Sequence, residues 1–354
     1  MLTEQAGAFI TRAIGRRQFA EKHNMWRYQS RWHSSCRPSI LQASVQAPRG
    51  WIFFTEKSVS TSEPDLSVVL AVPDGSAETE VLTALEEACD GISTELIVVR
   101  AGRTAPPALP RLRFMNVRET LLPAETLTPV LWGAGFALAK GRIVACTTDQ
   151  LRVSSTWAKA LVAGMRAGVA GVAGPIALAA GADAATAAAY FLRFSLYTPD
   201  AWPHGGGAPD IPGDNAAYRR EEVVRHQDLL EEGFWEVEYH RRFERDGLLL
   251  EMIPGAVATL VGPVPVGGML RQRFRHGREF GESRVTRHRE SRVRLLLSAP
   301  LVPLVLVARI GQRVRTSGRH GPRFVAALPW LFILAVAWAA GEVAGAWRAD
   351  TRRS

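Results

Sequence analysis

Residues 135–150 read GFALAKGRIVACTTDQ, and this stretch decides which class of fold the chain can adopt. It joins the end of an apolar helix, predicted over 126–140, to a Gly141-Arg142 turn and an apolar strand, predicted over 143–147. A helix that feeds a buried strand in this way is typical of α/β folds. Asp149 follows that strand, so it is expected at the strand's carboxyl end, where ligands bind in such sheets.

The same alternation extends in both directions along the chain. The spacing of apolar residues predicts strands over 67–72, 95–99, 113–117, 169–177 and 248–253 and helices over 78–89, 155–168, 179–191, from 220 and over 236–246. This order predicts an α/β domain over 65–290, built as a Rossmann-like, mostly parallel sheet with helices on both faces.

The two ends of the chain have a different character. Residues 1–64 are basic and lack sustained periodicity, so they are expected to be disordered or poorly structured. Residues 291–354 are expected to form a membrane-associated tail. The apolar run 295–308 is short and contains two prolines, which favours an interfacial or re-entrant helix, whereas 324–347 is long enough for a transmembrane helix.

Charge and cysteine content narrow the class of protein. The formal net charge is +9, and much of the excess lies beside the apolar tail, which favours anionic membrane lipids over nucleic acid as partner. The three cysteines form no CxxC pair, so neither a zinc site nor a disulfide framework is predicted. This cysteine usage favours a reduced, cytoplasmic environment.

Five segments together resemble a known family. They are SVVLAVP at 67–73, the helix-turn-strand at 135–150, GDNAAYRR at 213–220, GFWEVEYHRRFERDG at 233–247 and QRFRH at 272–276. In this order and spacing they resemble a bacterial family 2 glycosyltransferase of the GT-A fold with a C-terminal membrane anchor. The resemblance covers about residues 65–347.

The resemblance implies an enzyme that moves a sugar from a nucleotide-sugar donor to a lipid-linked or cell-surface glycan acceptor. It would act at the cytoplasmic face of a bacterial inner membrane and invert the sugar, with a carboxylate as general base. Glu236 is the first candidate for that base and Glu238 the second. Two residues apart on a helix, they point about 200° apart, so they cannot both face one pocket.

The resemblance also implies two groups of binding residues. The acceptor and donor-sugar group comprises Asp214, Asn215 and Arg219. The donor and diphosphate group comprises Asp74, Asp149, Gln272, Arg275 and His276.

Two departures from the family pattern bear on these roles. Leu151 stands where the family has the second acid of its D-x-D pair, so Mg²⁺ or Mn²⁺ would be held weakly, by Asp149 and mainly by the substrate phosphates. Otherwise Arg275 and His276 could supply the positive charge directly. Arg100 begins a segment that is acidic in the family. Both departures favour the alternative of a degenerate GT-A protein that binds nucleotide or partner proteins without turnover.

Overall fold

The computed structural model describes residues 52–58, 63–73, 79–103, 109–286 and 291–351. The chain divides into two compact units. The first, here called the sheet unit, comprises 43–264 and 309–331, and the second, here called the tail unit, contains 265–308 and 332–354.

A nine-stranded sheet forms the centre of the sheet unit, in the order β1-β4-β3-β2-β5-β10-β7-β11-β9, and β6, β12 and β8 form a separate three-stranded sheet. The strands are β1 Ile52–Ser58, β2 Leu66–Val72, β3 Thr94–Gly102, β4 Asn116–Pro123, β5 Ile143–Thr148, β6 Leu151–Val153, β7 Val169–Ala173, β8 Ile176–Leu178, β9 Gly206–Gly207, β10 Ala216–Arg219, β11 Leu249–Met252 and β12 Ala258–Leu260.

The large sheet is mostly parallel. β4, β3, β2 and β5 are paired in parallel. β10 is antiparallel to both β5 and β7, and β11 is parallel to β7. Strands β7 and β11 therefore run in the same direction as β2, β3, β4 and β5. The edge strands β1 and β9 are antiparallel to their neighbours. The predicted α/β class with a mostly parallel sheet is confirmed.

The helices of the sheet unit are α1 Thr79–Ala88, α2 Thr128–Leu138, α3 Trp157–Gly164, α4 Ala184–Phe194, α5 Arg220–Val224, α6 Gln227–Leu230 and α7 Glu236–Arg245. They are followed by α8 Val266–Thr286, α9 Arg292–Ser298, α10 Val302–Ser317 and α11 Gly321–Thr351. All seven residues of β2 are buried, as expected for a parallel strand that is covered on both faces.

Close backbone approach explains the glycines of the segment that decides the fold. A Cβ on Gly135 of α2 would overlap Val69 of β2, so the helix can lie this close to the sheet only with glycine there. A Cβ on Gly141 would come within 2.7 Å of the Ser67 backbone nitrogen. The Gly141 N–H donates to Ser67 Oγ at 2.8 Å, and this hydroxyl donates to the buried Glu95 at 2.6 Å.

Several elements differ from the sequence-based expectation, among them the strands β6, β9, β10 and β12, which were not predicted. The third strand of the parallel order covers Asn116–Pro123 rather than 113–117. The strand expected over 169–177 is two strands, β7 and β8, because Gly174 abuts the Ala256 carbonyl and Pro175 has no N–H to continue the ladder. Within residues 1–64, which were expected to be disordered or poorly structured, β1 pairs with β4.

The tail contains two segments that are long and apolar enough to cross a membrane, by length and composition alone. They cover Arg292–Ser317, which includes α9 and α10, and Gly321–Ala349, which is nearly all of α11. The first is longer than the 14 residues expected from the apolar run, because the helix continues through the arginines after Ala308.

Candidate functional site

The site is built at the carboxyl edge of the parallel strands. β5 ends at Thr148, and the N–H of the next residue, Asp149, donates to the Ala71 carbonyl of β2 at 3.2 Å. Asp149 is 8% exposed, so its carboxylate lies at the margin of the core. Asp74, predicted to bind the donor, lies outside the described residues.

Leu151 does not face this edge. It is 1% exposed and belongs to β6, where it pairs with Leu260 of β12. A carboxylate at this position would be buried in an apolar layer, which explains why leucine is compatible with the local fold. Gln150, between Asp149 and Leu151, accepts a hydrogen bond from Arg193 Nη1 at 3.1 Å.

Arg193 joins the β5 edge to the segment before β10. It lies in the last turn of α4, and its guanidinium forms an ion pair with Asp214 in addition to the bond with Gln150. The guanidinium also lies over the Phe194 ring, 4.6 Å from its centroid. Sequence patterns alone did not single out Arg193, since its partners are 43 and 21 residues away along the chain.

Glu236 lies against the segment that contains Asp214. A Cβ on Gly213 would be 3.1 to 3.3 Å from three side-chain atoms of Glu236. Glu236 is the first residue of α7, and the buried side of that helix carries Tyr239, His240 and Phe243. The structure therefore brings the predicted base and the predicted acceptor segment together.

The environment of Glu236 makes it a strong base for a carboxylate. Burial, together with the carboxylates of Asp214 and Asp210, raises the pKa of its carboxyl from the ordinary value of 4.5 to about 8. Its backbone hydrogen bond and the Arg193 guanidinium oppose this shift. The residue as a whole is half-buried.

A second group of polar side chains lies beside Glu236. His240 Nδ1 is bonded to an oxygen of Asp210, and His240 Nε2 is 2.9 Å from the hydroxyl of Tyr218. The Tyr197 hydroxyl is 3.5 Å from the other oxygen of Asp210. Burial and the charges of Asp210 and Glu236 raise the pKa of both tyrosines. His240 follows Glu236 by four residues on α7, and this helical spacing is the signal in the sequence that could have revealed the group.

Asn215 is fully buried and its side chain connects three parts of the sheet unit. Its Oδ1 accepts from Trp157 Nε1 at 2.6 Å, and its Nδ2 donates to the carbonyls of Pro175 and Ala256 at 3.2 and 2.9 Å. These contacts fix the backbone beneath Asp214. The predicted contact of the Asn215 side chain with the sugar would compete with them.

The remaining predicted residues lie elsewhere. Arg219 is at the far end of β10, opposite Ile143 at the start of β5, and donates to the carbonyls of Met165, Arg166 and Val169. It therefore does not join Asp149 and Glu236. Glu238 pairs with Arg241 on the same helix at 3.3 Å.

Gln272, Arg275 and His276 lie on α8, in the tail unit. Arg100, which stands where the family has an acid, forms a buried ion pair with Glu119 of β4 and is 2% exposed. Its charge is therefore neutralised within the sheet.

The donor atoms at the carboxyl edge do not fit a metal held by the protein alone. Among the residues that the structure describes, no group of three or more His, Cys, Asp or Glu side chains could hold an ion. Asp149 contributes one carboxylate, Gln150 is bonded to Arg193, and Asp214 is ion-paired with the same guanidinium. A hard divalent cation needs six or more oxygen ligands, so the substrate or water would have to supply most of them.

Comparison with known proteins gives no family assignment. No family model and no curated protein matches the chain. Among solved structures, the chain is similar to mannosyltransferase PcManGT from Pyrobaculum calidifontis in complex with GDP-Man and Mn²⁺. The identity is 13% and the TM-score 0.41, over 78% of this chain and 87% of that one. It is also similar to a mycobacterial protein, with 17% identity and a TM-score of 0.38, over 60% of this chain and 73% of that one.

Proposed function

We propose that the protein is a membrane-associated, inverting glycosyltransferase of the family 2 type. It would move a sugar from a nucleotide-sugar donor to a lipid-linked or cell-surface glycan acceptor, at the cytoplasmic face of a bacterial inner membrane. One observation carries this proposal: a half-buried carboxyl with a pKa of about 8, Glu236, lies against Gly213 beside the carboxyl edge of a parallel sheet.

In the proposed reaction, the acceptor hydroxyl attacks the anomeric carbon of the donor sugar while the bond from that carbon to the diphosphate oxygen breaks. Glu236, deprotonated, takes the hydroxyl proton. A pKa near the working pH suits a general base, since the group accepts a proton readily and is still ionised in part of the molecules. The Asp210–His240 pair, one turn further along α7, would hold this helix in place while the proton is transferred.

The departing diphosphate needs positive charge. Arg193 places a guanidinium beside Gln150, one residue after Asp149, and we assign it to this edge of the donor site. A divalent cation would arrive with the diphosphate as part of the donor complex, with Asp149 as its protein ligand, because the protein does not supply a complete ligand set.

A panel of UDP- and GDP-sugars tests the proposal by calorimetry and by release of the nucleoside diphosphate, with Mg²⁺, with Mn²⁺ and with chelator. We expect one donor class to bind and to be turned over, and Asp149→Ala to weaken its metal-dependent binding. Metal-dependent binding that survives Asp149→Ala would show that the donor site is misplaced. Absence of binding for the whole panel would contradict the proposed function, and binding without turnover would favour a degenerate GT-A protein.

A further inference from the structure

The return segment, here defined as residues 309–324, lies in the sheet unit together with α4. It comprises the second half of α10, the turn at Gly318 and the start of α11. Gly318 has a φ of 73°, in the left-handed region that favours glycine, so the chain can turn sharply between the two helices. As a result, residues from both helices contact α4 and the chain on either side of it.

The start of α11 and the turn before it pack on two aromatic residues of α4. The ring of Phe324 lies edge-on to that of Phe191, with the centroids 5.4 Å apart. The ring of His320 lies edge-on to those of Tyr190 and Phe191, at 6.2 and 6.0 Å. Tyr190 and Phe191 are fully buried, so these contacts belong to the packed interior of the sheet unit.

Polar contacts join the return segment to the chain on both sides of α4. Arg323 donates to the Ala180 carbonyl, which precedes α4, at 2.7 Å. Arg319 forms an ion pair with Asp200, which follows α4, at 3.1 Å. The return segment therefore spans the length of α4, the helix that carries Arg193 to the candidate site.

The contact closest to the end of α4 is made by Arg313 of α10. Its Nη1 donates to the Ser195 hydroxyl at 3.2 Å. Ser195 directly follows α4 and is 8% exposed. Ile310 and Val314, three residues before and one residue after Arg313, are buried, so Arg313 extends from the packed face of α10. A charged donor makes a stronger hydrogen bond than a neutral one, so this bond fixes the start of the chain that leaves α4.

Tyr197 connects that chain with the candidate site. Its hydroxyl is 3.5 Å from an oxygen of Asp210. Burial and the negative charges of Asp210 and Glu236 raise the pKa of this hydroxyl, and the positive charge of Arg313 opposes the rise. The Tyr197 hydroxyl therefore lies within electrostatic reach of both Arg313 and the proposed base.

From these contacts we infer that Arg313 is a positioning residue of the candidate site, so the return segment is part of the catalytic unit and not only a link to the tail. Arg313 holds the chain after α4 through Ser195, and Tyr197 extends from that chain to Asp210, one of the carboxylates that surround Glu236. The inference rests on the proposed function, because it concerns the orientation of groups around the base. Arg313 acts through these neighbours and not on the substrate.

Steady-state kinetics of full-length variants test the inference, with the donor that the parent protein turns over. We expect Arg313→Met to lower kcat about tenfold while KM for the donor stays within about twofold, since Arg193 keeps its own bonds at the donor edge. Arg313→Lys should recover most of the rate, because it keeps the charge and a donor for Ser195. Arg315→Met is the matched control, since Arg315 is exposed on the same helix.

A double-mutant cycle separates positioning from a general loss of stability. Tyr197→Phe removes the hydroxyl that reaches Asp210 but retains the ring, and we expect it to lower kcat as well. Combined with Arg313→Met, it should lower kcat by clearly less than the product of the two single effects, because both changes break the same connection. Equal activity of Arg313→Met and Arg315→Met, or single effects that simply multiply, would overturn the inference.

Amide hydrogen exchange supplies a readout that needs no donor. Mass spectrometry compares the parent protein with Arg313→Met and Arg315→Met, and we expect residues 195–201 to exchange about tenfold faster in Arg313→Met alone. If the parent protein turned over no donor, the proposed function would fail, while this faster exchange would still support the hold of Arg313 on the chain after α4. Unchanged exchange over 195–201 in Arg313→Met would contradict that hold.

Discussion

Gly213 and Glu236 lie so close together that a methyl group on Gly213 would come within 3.1 Å of the Glu236 carboxyl carbon. This contact brings the segment before β10 against the first turn of α7 and determines where the proposed base points. Nothing larger than glycine fits at position 213 unless Glu236 moves by a few tenths of an ångström.

We therefore expect Gly213→Ala to lower kcat about tenfold while the protein stays folded, since small displacements of a catalytic group are costly in rate. Steady-state kinetics and a thermal melt measure the two effects. Gly181→Ala is the matched control, because a Cβ at position 181 meets no atom within 4 Å. Equal activity of the two variants would show that the position of Glu236 does not matter for transfer.

The pH dependence of the rate follows from the raised pKa of Glu236. A general base acts only when it is deprotonated, so kcat/KM should rise with pH and reach a plateau above about pH 8. An ordinary glutamate would give a plateau well below pH 7. A flat profile between pH 6 and about 9 would rule out Glu236 as the base of the free enzyme.

Arg193 should move this profile, because its guanidinium opposes the rise in the pKa of Glu236. We expect Arg193→Met to shift the ascending limb to higher pH and to weaken donor binding. Arg193→Lys should shift it less, since it retains the charge but not the simultaneous bonds to Gln150 and Asp214. If the pH profile of kcat/KM were unchanged in Arg193→Met, Arg193 would not belong to the site.

The raised pKa of Glu236 should also make the protein's free energy of unfolding depend on pH. The carboxyl of Glu236 in the unfolded chain releases its proton near pH 4.5, whereas the folded protein holds it up to about pH 8. The folded state thus binds more protons in this range, and the contribution of Glu236 to the free energy of unfolding falls as the pH rises through it. Glu236→Gln removes that loss of stability at high pH. We therefore expect this variant to raise Tm, relative to the parent protein, more at pH 8 than at pH 5, and differential scanning calorimetry measures both values.

The spacing of apolar residues and the positions of glycine, proline and polar turns were enough to predict β2, β3, β5, β7 and β11, because these strands are mostly apolar. The pairing of β1 with β4 could not be predicted, since an edge strand needs no apolar pattern on its outer side. The split between β7 and β8 depends on Ala256, which lies about 80 residues further along the chain and contacts Gly174.

The candidate site was accessible to sequence reasoning only in part. Glu236 and the Gly213–Asn215 segment were found because they belong to recurring motifs. Arg193 was not, because its role arises from the way α4 packs and not from any local pattern. Arg219 shows that a residue at a motif position can have a structural role instead. Its guanidinium donates to three backbone carbonyls at the far edge of the sheet.

The most direct test is a comparison of Glu236→Gln with Glu238→Gln, in which donor binding and sugar transfer are both measured with the donor found in the panel. Glu238 is the matched control, since it lies two residues along the same helix and pairs with Arg241. We predict that Glu236→Gln binds the donor normally but loses transfer by about 10² to 10⁴-fold, while Glu238→Gln stays within a few-fold of the parent protein. Full transfer by Glu236→Gln would contradict the assignment of Glu236 as the base.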